Sequence, residues 1–317
     1  MTEYAKVTID PVSAFTRGFE DFDFYCQLAM PEIMDYQFPV YYLAIWQMLV
    51  AARTKEDKIK VLRFALGLPR GFAKTTFIKI LISWFIVYGY TEFVLIVCAD
   101  EPLAYNLLSD IDDILASENM ELVYGKWTIN KAINQRERKT AMYRNKPITL
   151  VACGAGSNVR GLNIKNERPD LILFDDMQTS DNAESDVEYT ALLTKFTGTF
   201  LKLISPKKAI IIYIGNMYPQ NCILAILRDN PYWVSMITGF ITSEGKSLWP
   251  ELHPIEALFE SFQHDASIGL AHIWFAEMMN DPIEAKVALL PDGVLPACDY
   301  DLQEVMEIGR ASCRERV

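Results

Sequence analysis

Residues 67–77 combine glycine, lysine and threonine in an order that suits phosphate binding. They read GLPRGFAKTTF, with Lys74 followed directly by Thr75. The usual phosphate-binding loop is G-x-x-x-x-G-K-[ST]. Its backbone cradles the phosphates, its lysine reaches the β- and γ-phosphates, and its hydroxyl holds Mg²⁺. Two positions depart from this pattern, because Leu68 stands at the first glycine and Ala73 stands directly before the lysine.

The alanine before the lysine decides how well this loop can form. Ala73 is tolerated if its φ is negative, but a positive φ costs an alanine about 1 kcal/mol or more. Gly71 leaves one position of the turn unrestricted. The candidate cofactor-binding residues are Arg70, Gly71, Phe72, Ala73, Lys74, Thr75 and Thr76. The alternative is a glycine-containing loop that opens a helix and leaves the lysine in solvent.

A second candidate segment is acidic, and its first aspartate lies 101 residues beyond Lys74. It reads RPDLILFDD, four apolar residues followed by Asp175 and Asp176. An apolar strand that ends in two carboxylates is typical of a Walker B segment. There the first acid binds Mg²⁺ and the second orients or deprotonates the attacking water. The alternative is a helix N-cap followed by a dipole-favoured acid. The two segments together, in this order, favour nucleotide hydrolysis.

The elements that position these segments are apolar runs alternating with stretches of helical length. The runs lie at residues 60–68, 93–100, 148–154, 171–176 and 208–216, and the helical stretches at 74–89, 101–117, 183–203, 219–228 and 251–283. This alternation predicts an α/β domain with a mostly parallel central sheet flanked by helices. The first run leads directly into the lysine loop, as phosphate binding requires.

Composition limits the classes of protein that fit. Of the 317 residues, 51% are hydrophobic and 22% are charged, which indicates a globular chain of one or two domains. The six cysteines form no C-x-x-C pair, so neither a zinc site nor a disulfide framework is expected. No signal peptide is recognisable, and the longest apolar run, residues 80–90, is too short to span a bilayer. A net charge of −11 argues against strong autonomous DNA binding.

Four segments together resemble one family. LPRGFAKTT, VRGLNIKNERPDLILFDD, IIIYIGNMY and SLWPELHPIEAL…IWFAEMMNDP are similar, in order over roughly residues 60–283, to the large subunit of phage terminase. The resemblance implies a P-loop NTPase of the additional-strand, catalytic-acid type. Such a motor uses ATP and Mg²⁺ to move double-stranded DNA into a procapsid. The implied partners are the portal protein and the small terminase subunit, and the motor itself is expected to form a homo-oligomeric ring. The resemblance places it in the host cytoplasm and transiently at the portal vertex of the procapsid. It implies no membrane.

The resemblance also implies roles for residues near the two motifs. Arg70 matches an arginine four positions before the lysine that acts in cis on the γ-phosphate, where a planar permanent charge suits the transition state. Lys74 and Thr75 match the phosphate and Mg²⁺ residues, and Thr76 flanks them. Asp175 matches the Mg²⁺ aspartate. The alternative for Arg70 is a surface salt bridge.

Other matches are less direct. Asp176 falls where many motors have a catalytic glutamate, and aspartate is one methylene shorter. Asn216 falls in the coupling motif, where threonine is common, and its amide would sense the γ-phosphate; the alternative is a turn-forming asparagine. Arg160 matches an arginine with a trans-acting or DNA-contacting role. Gln47 would read adenine, or is an ordinary helix glutamine.

The same resemblance predicts a division of the chain. We expect an N-terminal helical or lid segment at 1–57, the ATPase core at 58–250 and a helical linker subdomain at 251–307. A nuclease domain of RNase H-like fold normally follows in the family, and we expect it to be missing here. Residues 308–317 belong to the stretch EIGRASCRERV, which resembles a translated sequencing adapter. Without them the net charge is −13.

Three other readings of the function stay open. A helicase-like P-loop ATPase would need two tandem cores, and the sequence contains one. A nucleotide-binding regulator that does not hydrolyse fits the departures at Ala73 and Asp176. A structural capsid-associated protein would bind no nucleotide. Mg²⁺-dependent turnover distinguishes an ATPase from the regulator, and loss of all nucleotide affinity would support the structural protein.

Overall fold

Strands and helices alternate along the chain in a computed structural model that describes residues 10–32, 37–54, 61–159, 162, 164, 167–206 and 209–282. The strands are β1 (Val61–Gly67), β2 (Phe93–Cys98), β3 (Thr128–Asn134), β4 (Arg138–Tyr143), β5 (Lys146–Gly154), β6 (Leu171–Asp175), β7 (Ala209–Gly215) and β8 (Val234–Ile237). The helices are α1 (Pro11–Glu20), α2 (Phe22–Ala29), α3 (Val40–Thr54), α4 (Lys74–Val87), α5 (Glu101–Leu115), α6 (Glu118–Tyr124), α7 (Ser180–Glu184), α8 (Asp186–Gly198), α9 (Ile223–Arg228), α10 (Ile255–Ser267) and α11 (Ala271–Met279).

Some predictions fall on other parts of the chain. Arg160, the boundary at 57/58, the part of segment 251–307 that follows residue 282, and the adapter-like residues 308–317 lie outside the described residues. The predicted division of the chain therefore stays a prediction. Among the described residues, no helix is both long enough and apolar enough to cross a membrane.

The described strands form one sheet in the order β3, β4, β5, β2, β6, β7, β1, β8. Strands β5, β2, β6, β7, β1 and β8 run parallel to one another, whereas β4 pairs antiparallel with both β5 and β3 at one edge. Strand β7 lies between β1 and β6, which is the place of the additional strand in the predicted class of P-loop NTPase. The predicted fold class, a mostly parallel sheet flanked by helices, is confirmed.

Apolar residues on both faces explain why the central strands read as continuous apolar runs. Along β2, Val94 and Ile96 belong to the core cluster on one face, whereas Leu95 and Val97 belong to the cluster on the other. Helices α4 and α5 pack in the first cluster together with α2 and α3. Helices α8 and α9 contribute to the second. A parallel sheet covered by helices on both sides requires this pattern.

The helices at both ends of the described chain pack on the same core as the sheet. Trp84 of α4 donates a hydrogen bond to the carbonyl of Gly18 in α1, over 3.0 Å. Leu258 and Phe262 of α10, and Trp274 of α11, are buried in the cluster that contains α4. Helix α11 therefore has a fixed position relative to the sheet.

The antiparallel edge is the main element that the apolar runs do not indicate. Strand β3 is the edge strand, and both β3 and β4 mix polar with apolar residues, which suits the border of the sheet. Arg144 and Asn145 form the turn from β4 to β5 with φ angles of 47° and 62°. Positive φ at both central residues is the geometry of a tight hairpin.

Candidate functional site

The carboxyl ends of three neighbouring strands meet at one place on the sheet. Gly67 of β1 pairs in register with Gly215 of β7, and Ile214 of β7 pairs with Asp175 of β6. The residues that follow these strands therefore emerge side by side. In an open α/β sheet, this edge is where ligands bind.

The loop from β1 to α4 is held by aromatic packing and by its backbone. Phe72 is fully buried, with ring centroids 5.1 Å from Tyr42, 5.2 Å from Phe240 and 5.6 Å from Trp249. The Tyr42 hydroxyl also donates a hydrogen bond to the Phe72 carbonyl. The Phe72 side chain thus anchors the loop in the core, so the contribution of this residue to ligand binding is limited to its backbone.

Ala73 adopts the left-handed conformation for which a glycine is usual. Its φ is 56° and its ψ is 33°, and it stands directly before the first residue of α4. For an alanine this conformation costs about 1–2 kcal/mol relative to a right-handed one. The φ of Ala73 is therefore positive, which is the case that is costly for an alanine. Gly71, at φ 82°, provides the other positive φ of the loop.

The first turn of α4 has no side-chain cap. Ala73 makes no capping hydrogen bond, and no acidic residue lies in the first turn. The first N–H groups of a helix lack intrahelical partners and carry the positive end of the helix dipole. Together with the adjacent lysine, this helix end is suited to an anion.

Lys74 is buried and lies between the ends of β6 and β7. Its Nζ donates to Asn216 Oδ1 over 2.5 Å and lies 3.7 Å from Asp176 Oδ1. Its side chain is only 8% exposed. A buried ammonium needs such oxygen partners, because burial without them is costly. Lys74 is thus held by Asp176, which follows β6, and by Asn216, which follows β7.

Asp175 and Thr75 lie next to each other beside this lysine. The Thr75 hydroxyl donates to Asp175 Oδ2 over 3.5 Å. Asp175 Oδ1 is buried and has no hydrogen-bond partner among the described residues. Burial raises the pKa of Asp175 to about 7, with a further rise from the Asp176 carboxylate, which Lys74 and Thr75 oppose. A buried carboxylate oxygen without a donor is suited to a cation.

This pair fits Mg²⁺ better than a cation held entirely by protein ligands. The described residues contain no group of three or more His, Cys, Asp or Glu side chains placed to hold a metal. Mg²⁺ is commonly bound by one or two protein oxygens, with water and substrate phosphates as its other ligands. The Thr75 hydroxyl and the unpartnered Asp175 oxygen supply such a set.

Asp176 directly follows β6 with an unusual backbone conformation. Its φ is 42°, and its N–H donates to the carbonyl of Ile214 in β7 over 3.0 Å. Aspartate and asparagine tolerate this region better than most residues. The side chain is 49% exposed, so Asp176 is accessible to solvent at the strand end while its carboxylate faces Lys74.

Glu277 of α11 also lies at this site, although the sequence patterns do not single it out. Its Oε2 is 3.5 Å from Asn216 Nδ2 and 3.8 Å from Arg70 Nη1. The Arg70 N–H donates to the Glu277 carbonyl over 2.8 Å. The sequence signal for Glu277 is the segment IWFAEMMNDP, which contributes to the family resemblance but indicates no role for this glutamate. His253 also approaches the loop, with its Nε2 3.2 Å from the Gly71 carbonyl.

The structure brings most of the predicted site residues together. Arg70, Lys74, Asp176 and Asn216 form a continuous set of contacts with Glu277, and Thr75 and Asp175, their chain neighbours, contact each other. Thr76 is half-buried in the first turn of α4. Gln47 is an exposed residue of α3. Arg160 lies outside the described residues, so its predicted role stays a prediction.

Comparison with known proteins bears on the fold. No protein-family model matches this chain, and no curated protein matches its sequence. Among solved structures it is similar to the large terminase ATPase domain of Thermus phage P74-26, in an arginine-to-alanine mutant. The TM-score is 0.51 at 12% identity, covering 76% of this chain and 93% of that one. The large terminase of a thermophilic bacteriophage matches with a TM-score of 0.44 at 9% identity, covering 66% of this chain and 49% of that one.

At this identity, the first similarity shows a shared fold and nothing finer. The chain has the fold of a large terminase ATPase domain, in agreement with the P-loop class predicted from the sequence. Substrate, chemistry and partners have to be argued from the site itself.

Proposed function

We propose that this chain is the ATPase part of a terminase-like motor, which hydrolyses ATP with Mg²⁺ and moves double-stranded DNA into a procapsid. The observation that carries the proposal is the grouping around Lys74. A buried lysine at an uncapped helix start faces two acidic residues at the end of a neighbouring strand. The similarity of the fold to a terminase ATPase domain supports the choice of motor.

Phosphate binding is assigned to the loop and the start of α4. The N–H groups of the first turn and the Lys74 ammonium would carry the β- and γ-phosphates. Arg70, whose side chain is 75% exposed and pairs with Glu277, would turn toward a γ-phosphate. A guanidinium there would stabilise the charge that develops on the transferred group. Gly71, Phe72, Ala73 and Thr76 contribute to the same loop.

The cation is assigned to Thr75 and Asp175. Mg²⁺, when bound, would neutralise phosphate charge at this place. The unpartnered Asp175 oxygen supports the assignment, since a cation would remove the cost of leaving it buried without a donor. The raised pKa of Asp175 has the same origin in burial and would fall next to a cation.

Hydrolysis is assigned to Asp176 and Asn216. The Asp176 carboxylate, half-exposed beside Lys74, would orient a water and accept its proton as the water attacks phosphorus. Asn216 already contacts Lys74, so a phosphate that draws the lysine away would change the partners of this amide. That change is the basis of the coupling role proposed for Asn216.

The DNA partner is supported by the distribution of charge. Residues 126–146, which include β3 and β4, contain seven Lys or Arg and one acidic residue, a net charge of +6 in a chain of net charge −11. Lys126 and Arg136 are exposed there. Lys139 and Lys146 pair with acidic residues of other segments, and the remaining positive charge on this edge suits the phosphates of DNA. The alternative is a set of charges that keeps the sheet edge from pairing with another strand.

The same proposal includes two protein partners, the portal protein and the small terminase subunit. It also includes a homo-oligomeric ring and a place at the portal vertex in the host cytoplasm.

Mg²⁺-dependent ATP hydrolysis by the purified chain tests the enzyme. Lys74→Ala is compared with Lys79→Ala, a lysine of the same helix that is paired with Asp110 at 3.3 Å. Turnover and ATP binding that only Lys74→Ala abolishes would support the proposal. Binding without turnover would support the non-hydrolysing regulator. A chain that does neither would support the structural reading.

Stimulation of this turnover by duplex DNA tests the partner. The double variant Lys126→Gln and Arg136→Gln should weaken DNA binding and make it less dependent on salt, because each lost phosphate contact lowers the slope by about one. Lys246→Gln is the matched control. It changes an exposed lysine beyond β8, at the opposite edge of the sheet. Equal DNA binding by both variants would favour the charged-edge alternative.

A further inference from the structure

The carboxyl end of α11 is fastened to the ends of two strands. Asn280 caps the helix with a φ of 49° and is 5% exposed. Its Oδ1 accepts from the Met217 N–H over 3.1 Å, and its Nδ2 donates to the Thr238 carbonyl over 3.1 Å. A buried amide that satisfies two backbone groups fixes the relative position of the elements it joins. Helix α11 is therefore held against the residues that follow β7 and β8.

One turn before this cap, Glu277 points its carboxylate at two site residues from different elements. Glu277 Oε2 lies 3.5 Å from Asn216 Nδ2, beyond β7, and 3.8 Å from Arg70 Nη1, in the loop after β1. The backbone bond from Arg70 N–H to the Glu277 carbonyl, 2.8 Å, keeps the loop at this distance. The backbone carbonyl of Glu277 and its side-chain carboxylate therefore both contact residues of the site.

The chemistry of its neighbours gives Asn216 a single orientation. The Lys74 ammonium is a donor only, so the atom that faces it must be the amide oxygen. The Glu277 carboxylate, when ionised, is an acceptor only, so the atom that faces it must be the amide nitrogen. A flipped amide would oppose donor to donor and acceptor to acceptor. Glu277 thus contributes to presenting the Asn216 oxygen to Lys74.

We propose that Glu277 is a positioning residue, which orients Asn216 and restrains Arg70 around Lys74 and so ties helix α11 to the phosphate site. The inference rests on the proposed ATPase function. An exposed ion pair by itself would be weak, since such pairs contribute about 0–1 kcal/mol. Glu277 differs because its side chain is 30% exposed and because it acts on two residues that themselves contact or flank the lysine.

The test compares Glu277→Ala and Glu277→Gln with Glu260→Ala, an exposed glutamate of the neighbouring α10. For Glu277→Ala we expect kcat for ATP to fall by about tenfold or more, with KM changed by less than about threefold, because positioning acts mainly on the reacting state. Glu277→Gln keeps an oxygen that accepts from Asn216 Nδ2, so it should recover much of kcat. It also remains informative if the alanine variant folds poorly.

A double-mutant cycle separates positioning from a general structural effect. On an Asn216→Ala background, Glu277→Ala should lower kcat by less than about threefold, since only the restraint on Arg70 is then left to lose. An equal loss on both backgrounds, or a loss no larger than that of Glu260→Ala, would overturn the inference. Wild-type protein without ATP binding or turnover would overturn the proposed function and with it any catalytic effect of Glu277.

A measurement that needs no ATP distinguishes a failure of the positioning role from a failure of the proposed ATPase function. In protein labelled with ¹⁵N at asparagine, the side-chain amide signal of Asn216 is identified by its loss in Asn216→Ala. We expect Glu277→Ala to move this signal and Glu260→Ala to leave it in place. An unmoved signal in Glu277→Ala would refute the positioning role even in an active enzyme.

Discussion

Lys74 Nζ lies 2.5 Å from Asn216 Oδ1, although 142 residues separate the two in sequence. The contact joins the start of α4 to the end of β7. On its other side the same ammonium lies 3.7 Å from Asp176 Oδ1, beyond β6. Because β6, β7 and β1 are neighbours in the sheet, the three residues meet where these strands end. A phosphate that binds Lys74 must therefore compete with Asn216 and Asp176 for it.

Substitutions of Asn216 should separate binding from turnover. Asn216→Ala removes an acceptor from Lys74 without adding charge, so ATP affinity should change by less than about threefold while kcat falls by about tenfold or more. Asn216→Asp places a carboxylate beside the ammonium and opposite Glu277. It should weaken ATP binding more than the alanine does, since the lysine then faces another negative charge. Calorimetry with steady-state kinetics measures both, and weaker binding by Asn216→Ala than by Asn216→Asp would contradict the competition.

The left-handed conformation of Ala73 predicts a stabilising substitution. Ala73→Gly should raise the free energy of unfolding by about 0.5–1 kcal/mol, because the strain relieved exceeds the entropy that glycine adds to the unfolded chain. Ala191→Gly is the control. It changes an exposed alanine within α8 and should lower the same free energy by about 1 kcal/mol. Urea unfolding measures both, and equal losses would show that Ala73 is not strained.

The central part of the fold and of the site follows from sequence because each piece is local. The apolar runs predict β1, β2, β5, β6 and β7, since strands buried on both faces need apolar residues at every position. The lysine loop and the two aspartates could be found for the same reason, as each follows such a strand directly. Parallel strands then bring those residues to one edge.

The rest depends on contacts between distant parts of the chain. Glu277 reaches the site only because Asn280 fastens α11 to strand ends far away in sequence. No spacing within α11 indicates that. Strands β3 and β4 lack an apolar run because β3 is an edge strand and both strands include polar or charged residues. The φ of Ala73 is likewise set by the turn that joins β1 to α4, and not by the alanine itself.

Stability should depend on pH through Asp175. Burial raises the pKa of Asp175 from its ordinary 3.8 to about 7, so the folded protein holds a proton that the unfolded chain has lost. The contribution of this group to stability is therefore complete below about pH 4 and declines as pH rises toward 7. Asp175→Asn cannot titrate and should remove this decline.

Urea unfolding at pH 5 and pH 7.5, with a chelator present, measures the difference. The free energy of unfolding of Asp175→Asn, relative to wild type, should increase between the two pH values. Asp181→Asn, in the exposed part of α7, should show no such change. A relative stability of Asp175→Asn that is constant with pH would mean that Asp175 is ionised throughout this range.

Asp176→Asn should keep ATP binding and lose turnover. Asparagine accepts the left-handed backbone at φ 42° about as well as aspartate does, so the change removes the base with little strain. The positive charge of Lys74 is then no longer offset by Asp176, so ATP should bind at least as tightly as in wild type. We expect kcat to fall by about a hundredfold or more, which is the usual effect of losing a general base.

The outcome decides between two readings of the acidic strand end. Calorimetry and steady-state kinetics are run beside Asp181→Asn, an exposed aspartate away from Lys74 that should leave both unchanged. If Asp176→Asn binds ATP and does not turn it over, the shorter acid reaches the water, and the departure from glutamate is tolerated. If it still turns over at the wild-type rate, Asp176 serves only to balance Lys74, and the base must be another carboxylate. Glu277 is then the first to examine, because it lies at the same strand ends and already contacts Asn216.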